Sequence, residues 1–240
     1  CYGPPGVGKT LSARTYAHAE TIAPYLATRW RYTFIDEPPV PPAELDSTRT
    51  AIWTPEVTTT SRQITSQVDF ALTTLHRAIE DLYRPDGKIT AHTPEPAFTE
   101  LLIVDEADRL KTSGLEHLRD VYDRHDLGLV LIGMPGLEKR LARYPQLYSR
   151  IGFAHRYQPL SAAELTFVLT HHWQRLGLTL NAGDFTDAEA VSAVARITGG
   201  NCRLVHRLFA QIERILAINT LNTITREVVE TARENLVIGT

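Results

Sequence analysis

The stretch Gly3-Pro4-Pro5-Gly6-Val7-Gly8-Lys9-Thr10 constrains this chain more than any other. It fits G-x-x-x-x-G-K-[ST], a turn whose glycines let successive backbone N–H groups face inward around phosphates. The helix that follows adds the positive end of its dipole. In this pattern Lys9 reaches the β- and γ-phosphates of a nucleotide, and the Thr10 hydroxyl ligates Mg²⁺. Gly3, Pro4, Pro5, Gly6, Val7, Gly8, Lys9 and Thr10, with the adjoining Leu11, are therefore the candidate nucleotide-contacting residues. A loop of this kind joins a buried strand to a helix, so a parallel sheet is expected. Only Cys1 and Tyr2 precede Gly3, and most of that first strand is expected to lie upstream.

A second signal is the run Leu101-Leu102-Ile103-Val104, followed by Asp105-Glu106. Continuous apolar text marks a parallel strand covered on both faces. A carboxylate at its tip, Asp105, can hold Mg²⁺, usually through water. The adjacent Glu106 can polarise an attacking water. Asp108 reads as a solvated residue at a helix start.

The rest of the pattern alternates strand and helix up to about residue 159. A helix is expected from Thr10 to about Leu26, with Leu11, Tyr16, Ala19 and Ala23 inward. The text from Arg29 to Ser47 is irregular, and Pro38–Pro42 reads as a surface insertion. A strand at Thr50–Thr54, an amphipathic helix from about Arg62 to Tyr83 and a loop from Arg84 to Thr99 follow. Ser113-x-x-Glu116 offers a capping box to a helix reaching about His125. Leu129–Ile132 is a further apolar strand; a helix near Leu137–Tyr144 and a strand near Phe153–Tyr157 complete the alternation. Beyond Pro159 only helices are expected. Two are opened by capping boxes at Ser161-x-x-Glu164 and Thr186-x-x-Glu189, a third carries the stripe Leu204, Val205, Leu208, Phe209, Ile212, Ile215 and Leu216, and a last one runs from about Arg226 to Val237. The fold class is thus α/β, a P-loop parallel sheet flanked by helices. An α/β nucleotide-binding core over 1–159 is followed by a helical lid over 160–240.

Bulk properties narrow the function. The net charge of −3 excludes a general polycation, so any DNA contact needs a local basic stripe. The two cysteines, Cys1 and Cys202, make no disulfide framework, and a cytoplasmic location is the expectation. No apolar run suits a membrane span. His171-His172 has no Cys or Asp cluster beside it and reads as surface or packing. Trp30 and Trp53 read as packing residues. Thr58-Thr59-Thr60-Ser61-Arg62 fits either a DNA-phosphate contact or a capping loop. Hydrolysis also needs positive charge at the γ-phosphate. Arg150 and Arg203 sit at element junctions where that charge could come from, although composition alone leaves both as ordinary surface arginines.

Taken in this order, the residues resemble the AAA+ ATPases over nearly the whole chain. Gly3–Thr10 is similar to the Walker A motif and Leu101–Glu106 to Walker B. Arg150, in a Ser-Arg dipeptide after the fourth strand, falls where that family places its arginine finger. Gly199-Gly200-Asn201-Cys202-Arg203 is similar to its sensor-2 motif. Within the family, Leu129–Leu141, Tyr144–Arg150 and the Gly-Gly-Asn motif resemble the TniB/TnsC/MuB group of transposition ATPases. The resemblance implies Mg²⁺ and ATP as cofactors, with ATP hydrolysis carried by Glu106, Lys9, Arg150 and Arg203. It implies a self-assembled ring or filament on double-stranded DNA and a DDE-type transposase as partner. A replication-initiator or clamp-loader-like ATPase, or a nucleotide switch with little turnover, are the rival readings. Gly133 and Met134 depart from the pattern, standing where a polar sensor-1 residue is usual.

Overall fold

The computed structural model describes residues 1–29, 39–83, 99–181 and 183–236. Strands β1 (Thr50–Trp53), β2 (Leu101–Val104) and β3 (Gly128–Leu131) form a parallel sheet in the order β1-β2-β3. Thr50 lies opposite Leu101, and Leu101 opposite Gly128. The central strand is wholly apolar because helices cover both its faces, and Leu102 and Val104 are completely buried. On the far side of β3, Tyr2 bridges in parallel to both Gly133 and Arg156. The strand expected at Phe153–Tyr157 is reduced, among the described residues, to that one bridge. Its pairing is with Tyr2 alone, and a single residue does not sustain a ladder.

Two compact units are formed. The first comprises Cys1–Gly3 and Lys9–Arg156. Its opening helix is not continuous, as the periodicity suggested, but divides into α1 (Lys9–Tyr16) and α2 (Ala19–Arg29). The break falls at His18, whose φ of 48° no α-helix accommodates. Ala13 and Ala17 are buried before the break and Ala19 and Ile22 after it, whereas Leu11 and Tyr16 are each 66% exposed and Ala23 is exposed. Helix α3 (Ser61–Tyr83) is entered through Thr60: the Thr60 N–H donates to Gln63 Oε1 at 2.9 Å, and Gln63 N–H to Thr60 Oγ1 at 3.4 Å. This reciprocal cap is the plainer of the two roles open to the Thr58–Arg62 segment. Trp53 is buried in the core with Ile64, Val68, Leu75 and Ile79.

Helices α4 (Thr112–Arg124), α5 (Leu137–Leu141) and α6 (Pro145–Tyr148) complete this unit. The capping box at Ser113 does not form. Helix α4 starts two residues earlier, with Lys111 at its N-cap in place of Ser113 and no side-chain cap. Glu116 instead accepts from Arg119 Nε at 2.9 Å.

The second unit joins Pro4–Gly8 to the chain from Tyr157 onward. Its helices are α7 (Ala162–Arg175), α8 (Phe185–Thr198), α9 (Cys202–Asn219) and α10 (Arg226–Glu234). Leu169, Trp173, Leu208, Ile212 and Val229 are its buried centre. Ser161 and Glu164 make the full capping box that their spacing predicts. Thr186 and Glu189 do not, because Asp184 takes the cap: its Oδ1 accepts from Thr186 N–H at 2.8 Å and Asp187 N–H at 3.2 Å. An aspartate two residues upstream is the better-placed acceptor. His172 stacks on Phe209, with ring centroids 4.3 Å apart, and His171 meets Phe167 edge-on at 4.7 Å, so both pack against rings.

Trp30, Pro38, residues 84–98 and Val237 lie outside the described residues. Among the described residues no helix is long and apolar enough to cross a membrane.

Candidate nucleotide-binding site

The loop after Tyr2 owes its shape to glycine. Gly6 has φ +80° and Gly8 φ +98°, left-handed values that side chains other than glycine's disfavour. Lys9 opens α1 and is buried, and its Nζ donates to the Gly3 carbonyl at 2.6 Å. The ammonium is thereby tethered across the base of its own loop. Thr10 and Leu11 follow on α1, both exposed.

Asp105 ends the central strand. It is 4% exposed, its N–H donates to Trp53 O at 2.9 Å, and its Oδ1 accepts from Glu106 N–H at 3.0 Å. Gly3 follows Tyr2, Asp105 follows Val104, and Gly133 is the residue bridged to Tyr2, so all three lie at the C-terminal edge of the sheet, where α/β sheets bind ligands. Glu106 is held at φ 55°, a conformation rare outside glycine and concentrated at functional sites. Its carboxylate is ion-paired with Arg109, one helical turn on.

Asp108 is not the solvated residue that its place in the sequence implies. It is half-buried, and its Oδ1 accepts from Met134 N–H at 2.9 Å. A Cβ on Gly133 would lie 2.8 Å from that oxygen and 2.7 Å from Leu137 Cδ2. Gly133 is thus required by packing, and a carboxylate borrowed from the β2 side supplies polarity at the end of β3. The Gly-Met at that strand end was the only trace of this in the sequence.

Arg150 follows α6 and is held within its own chain. Its Nε donates to Asp123 Oδ1 at 2.6 Å and its Nη1 to Gln146 O at 2.7 Å. The hydrogen bond from Arg150 holds the Asp123 carboxyl below the ordinary carboxylate range, and the same bond raises the guanidinium. These contacts run to α4 and α6; Lys9, Asp105 and Glu106 are not among them.

Arg203 lies in the first turn of α9 with its side chain exposed. Its backbone N–H donates to Asn201 Oδ1 at 3.1 Å and also to Gly6 O at 3.0 Å. Asn201 Nδ2 donates to Pro5 O at 3.1 Å. In this segment the sequence singled out Arg203, yet it is Asn201 whose side chain touches the loop. Gly199 (φ 54°) terminates α8, and Gly200 (φ 75°) lies so close to Leu160 that a Cβ would come within 2.4 Å of its carbonyl oxygen.

Comparison with known proteins agrees with this geometry. The AAA domain family matches residues 1–141. A potential ATP-binding protein of Staphylococcus aureus is 46% identical over 242 residues, covering 100% of this chain and 88% of that protein. The Mu-like prophage FluMu DNA transposition protein B of Haemophilus influenzae is 32% identical over 119 residues, 46% of this chain and 38% of that one. In fold, the Thermotoga maritima RuvB Holliday junction branch migration motor aligns over 99% of this chain with a TM-score of 0.60 at 19% identity. The chain spans 61% of that RuvB chain. With its glycine-built loop, buried strand-end aspartate and these relatives, the chain belongs to the AAA domain family of P-loop, nucleotide-binding ATPases.

Proposed function

We propose that this chain binds Mg–ATP through Gly3–Thr10 and Asp105, hydrolyses it, and works as an oligomer on double-stranded DNA in the control of transposition. The observation that carries the nucleotide half is the tether of Lys9 to Gly3, which fixes a cation at the sheet edge that also carries buried Asp105. Donors and charge of that kind suit a polyphosphate, and a carboxylate at that depth suits a hydrated divalent ion. In this reading Lys9 reaches the phosphates, the Thr10 hydroxyl and Asp105 hold Mg²⁺, and Leu11 adjoins the nucleotide. Glu106 takes a proton from the attacking water. Mg²⁺ held by Thr10 and Asp105 would supply positive charge to the phosphates. Arg150 serves the site of a neighbouring subunit, and Arg203 couples the helical segment to nucleotide state. The functional domains are read as a core over 1–159 and a lid over 160–240.

The transposition half draws on the Haemophilus relative, which is by name a DNA transposition protein. A DDE-type transposase is the partner this reading implies. The ion pair between Glu106 and Arg109 favours a second reading, a nucleotide switch with little turnover, since Glu106 must leave Arg109 to act on water.

The test is ATP turnover by the purified protein with and without duplex DNA, together with sedimentation of ATP-dependent assemblies. DNA-stimulated turnover that Glu106→Gln abolishes, with assemblies pelleting on DNA, supports the first reading. Nucleotide binding with neither turnover nor assembly supports the switch.

A further inference from the structure

The side chain of Asn201 does two things at once. Its Oδ1 accepts from Arg203 N–H at 3.1 Å and Leu204 N–H at 3.2 Å, capping α9. Its Nδ2 donates to the Pro5 carbonyl at 3.1 Å. The partners leave one orientation for the amide, because backbone N–H groups require the oxygen and a carbonyl requires the nitrogen. Capping needs only an acceptor, and serine or aspartate would serve as well. The donor half of the amide is surplus to the helix and is directed at the loop.

That contact has a geometric consequence. In a planar trans peptide the C=O and the following N–H point in opposite directions. The Pro5 carbonyl is held by Asn201, and the Gly6 carbonyl by the Arg203 N–H at 3.0 Å. The N–H groups of Gly6 and Val7 are therefore turned away from α9. Successive N–H groups fixed on one side of such a loop are what builds an anion nest. The fit is close: a Cβ on Gly6 would lie 2.3 Å from Asn201 Oδ1. Gly6 is thus required by this side chain as well as by its own φ.

We propose that Asn201 is a positioning residue for nucleotide binding, its Nδ2 holding the Pro5–Gly6 peptide so that the loop's N–H groups are oriented for phosphate before the nucleotide arrives. The inference rests on the nucleotide-binding reading of the loop.

The experiment compares wild type with Asn201→Ser, Asn201→Asp and Asn201→Ala by equilibrium binding of ATP with Mg²⁺ and by thermal melting. Aspartate keeps the cap acceptor and has no donor; serine keeps the acceptor but replaces the amide Nδ2 with a shorter hydroxyl that the cap occupies; alanine loses both. The expected result is about fivefold weaker ATP binding in the serine variant, the loss of one hydrogen bond. Its melting midpoint stays at the wild-type value. Aspartate weakens binding further through its negative charge, and alanine matches serine in affinity but melts lower. Wild-type affinity in Asn201→Ser, or affinity losses that track melting midpoints across the series, would overturn the proposal. Absence of ATP binding by the wild type would instead remove the nucleotide reading, and this inference with it.

Discussion

Arg150 donates through Nε to Asp123 at 2.6 Å, and Arg119 donates to the other oxygen of the same carboxylate at 2.7 Å. Asp123 is thus a shared anchor that keeps Arg150 on the surface of its own chain. If Arg150 completes a neighbour's site, it must exchange Asp123 for phosphate. Arg150→Ala is expected to lower turnover roughly a thousandfold, as loss of a trans-acting arginine does. Mixing Arg150→Ala with Glu106→Gln subunits should restore part of the rate, because some interfaces then hold one intact Glu106 and one intact Arg150. Rates in the mixture no higher than in either variant alone would place Arg150 outside the reaction.

Glu106 is half-buried, left-handed and paired with Arg109. Glu106→Gln is expected to bind ATP normally and hydrolyse it at least about 100-fold more slowly, the usual worth of a positioned base. Arg109→Ala frees the carboxylate and is expected to raise turnover by up to about fivefold, the scale of an exposed ion pair. Single-turnover assays separate these effects from product release. A slower Arg109→Ala protein would mean that the pair positions Glu106 rather than restrains it.

His172 carries a pH signature. Burial against Phe209 pushes its pKa below the ordinary 6.5, assisted by the charges of Arg175, His206 and His171. Because the folded value is the lower one, the unfolded chain takes up the proton first as pH falls. Stability of the helical unit is therefore full above about pH 6.5 and declines through the window beneath it. Denaturation midpoints of wild type and His172→Phe, measured at successive pH values, should diverge below that point, with the variant the flatter. Parallel curves would show that His172 titrates as it does in the unfolded chain.

The N-cap of α8 offers a stability test. Asp184→Ala should cost about 1 kcal/mol and lower the melting midpoint by roughly 2–4 °C. Glu189→Ala, at the position where the sequence pattern put the capping box, should change stability by no more than about 0.5 kcal/mol.

These cases show what the sequence carries and where it runs out. The apolar strands β2 and β3 and the long helix α3 were readable because each has a strong period or an unbroken apolar run that packing then rewards. The break between α1 and α2 was not readable, because Ala17-His18 holds neither glycine nor proline and only the backbone reveals the turn. Caps were misplaced at Ser113 because α4 begins at Thr112 with no side-chain cap, and at Thr186 because Asp184, two residues upstream, takes the first free N–H groups of α8. In the site, the Gly3–Thr10 loop and Asp105-Glu106 were visible as motifs. The contacts of Asp108 and of Asn201, the latter named only as part of the Gly-Gly-Asn motif, were not, since they depend on chain segments 26 and 196 residues away.

The most direct test is equilibrium binding of ATP, with and without Mg²⁺, to wild type, Lys9→Ala and Asp105→Asn. Lys9 donates to Gly3 from within the loop it closes, so its loss should weaken ATP binding at least about tenfold, the scale of a charged hydrogen bond. Asp105→Asn should weaken binding only when Mg²⁺ is present. Wild-type affinity in Lys9→Ala, or equal weakening of Asp105→Asn with and without the metal, would contradict the account.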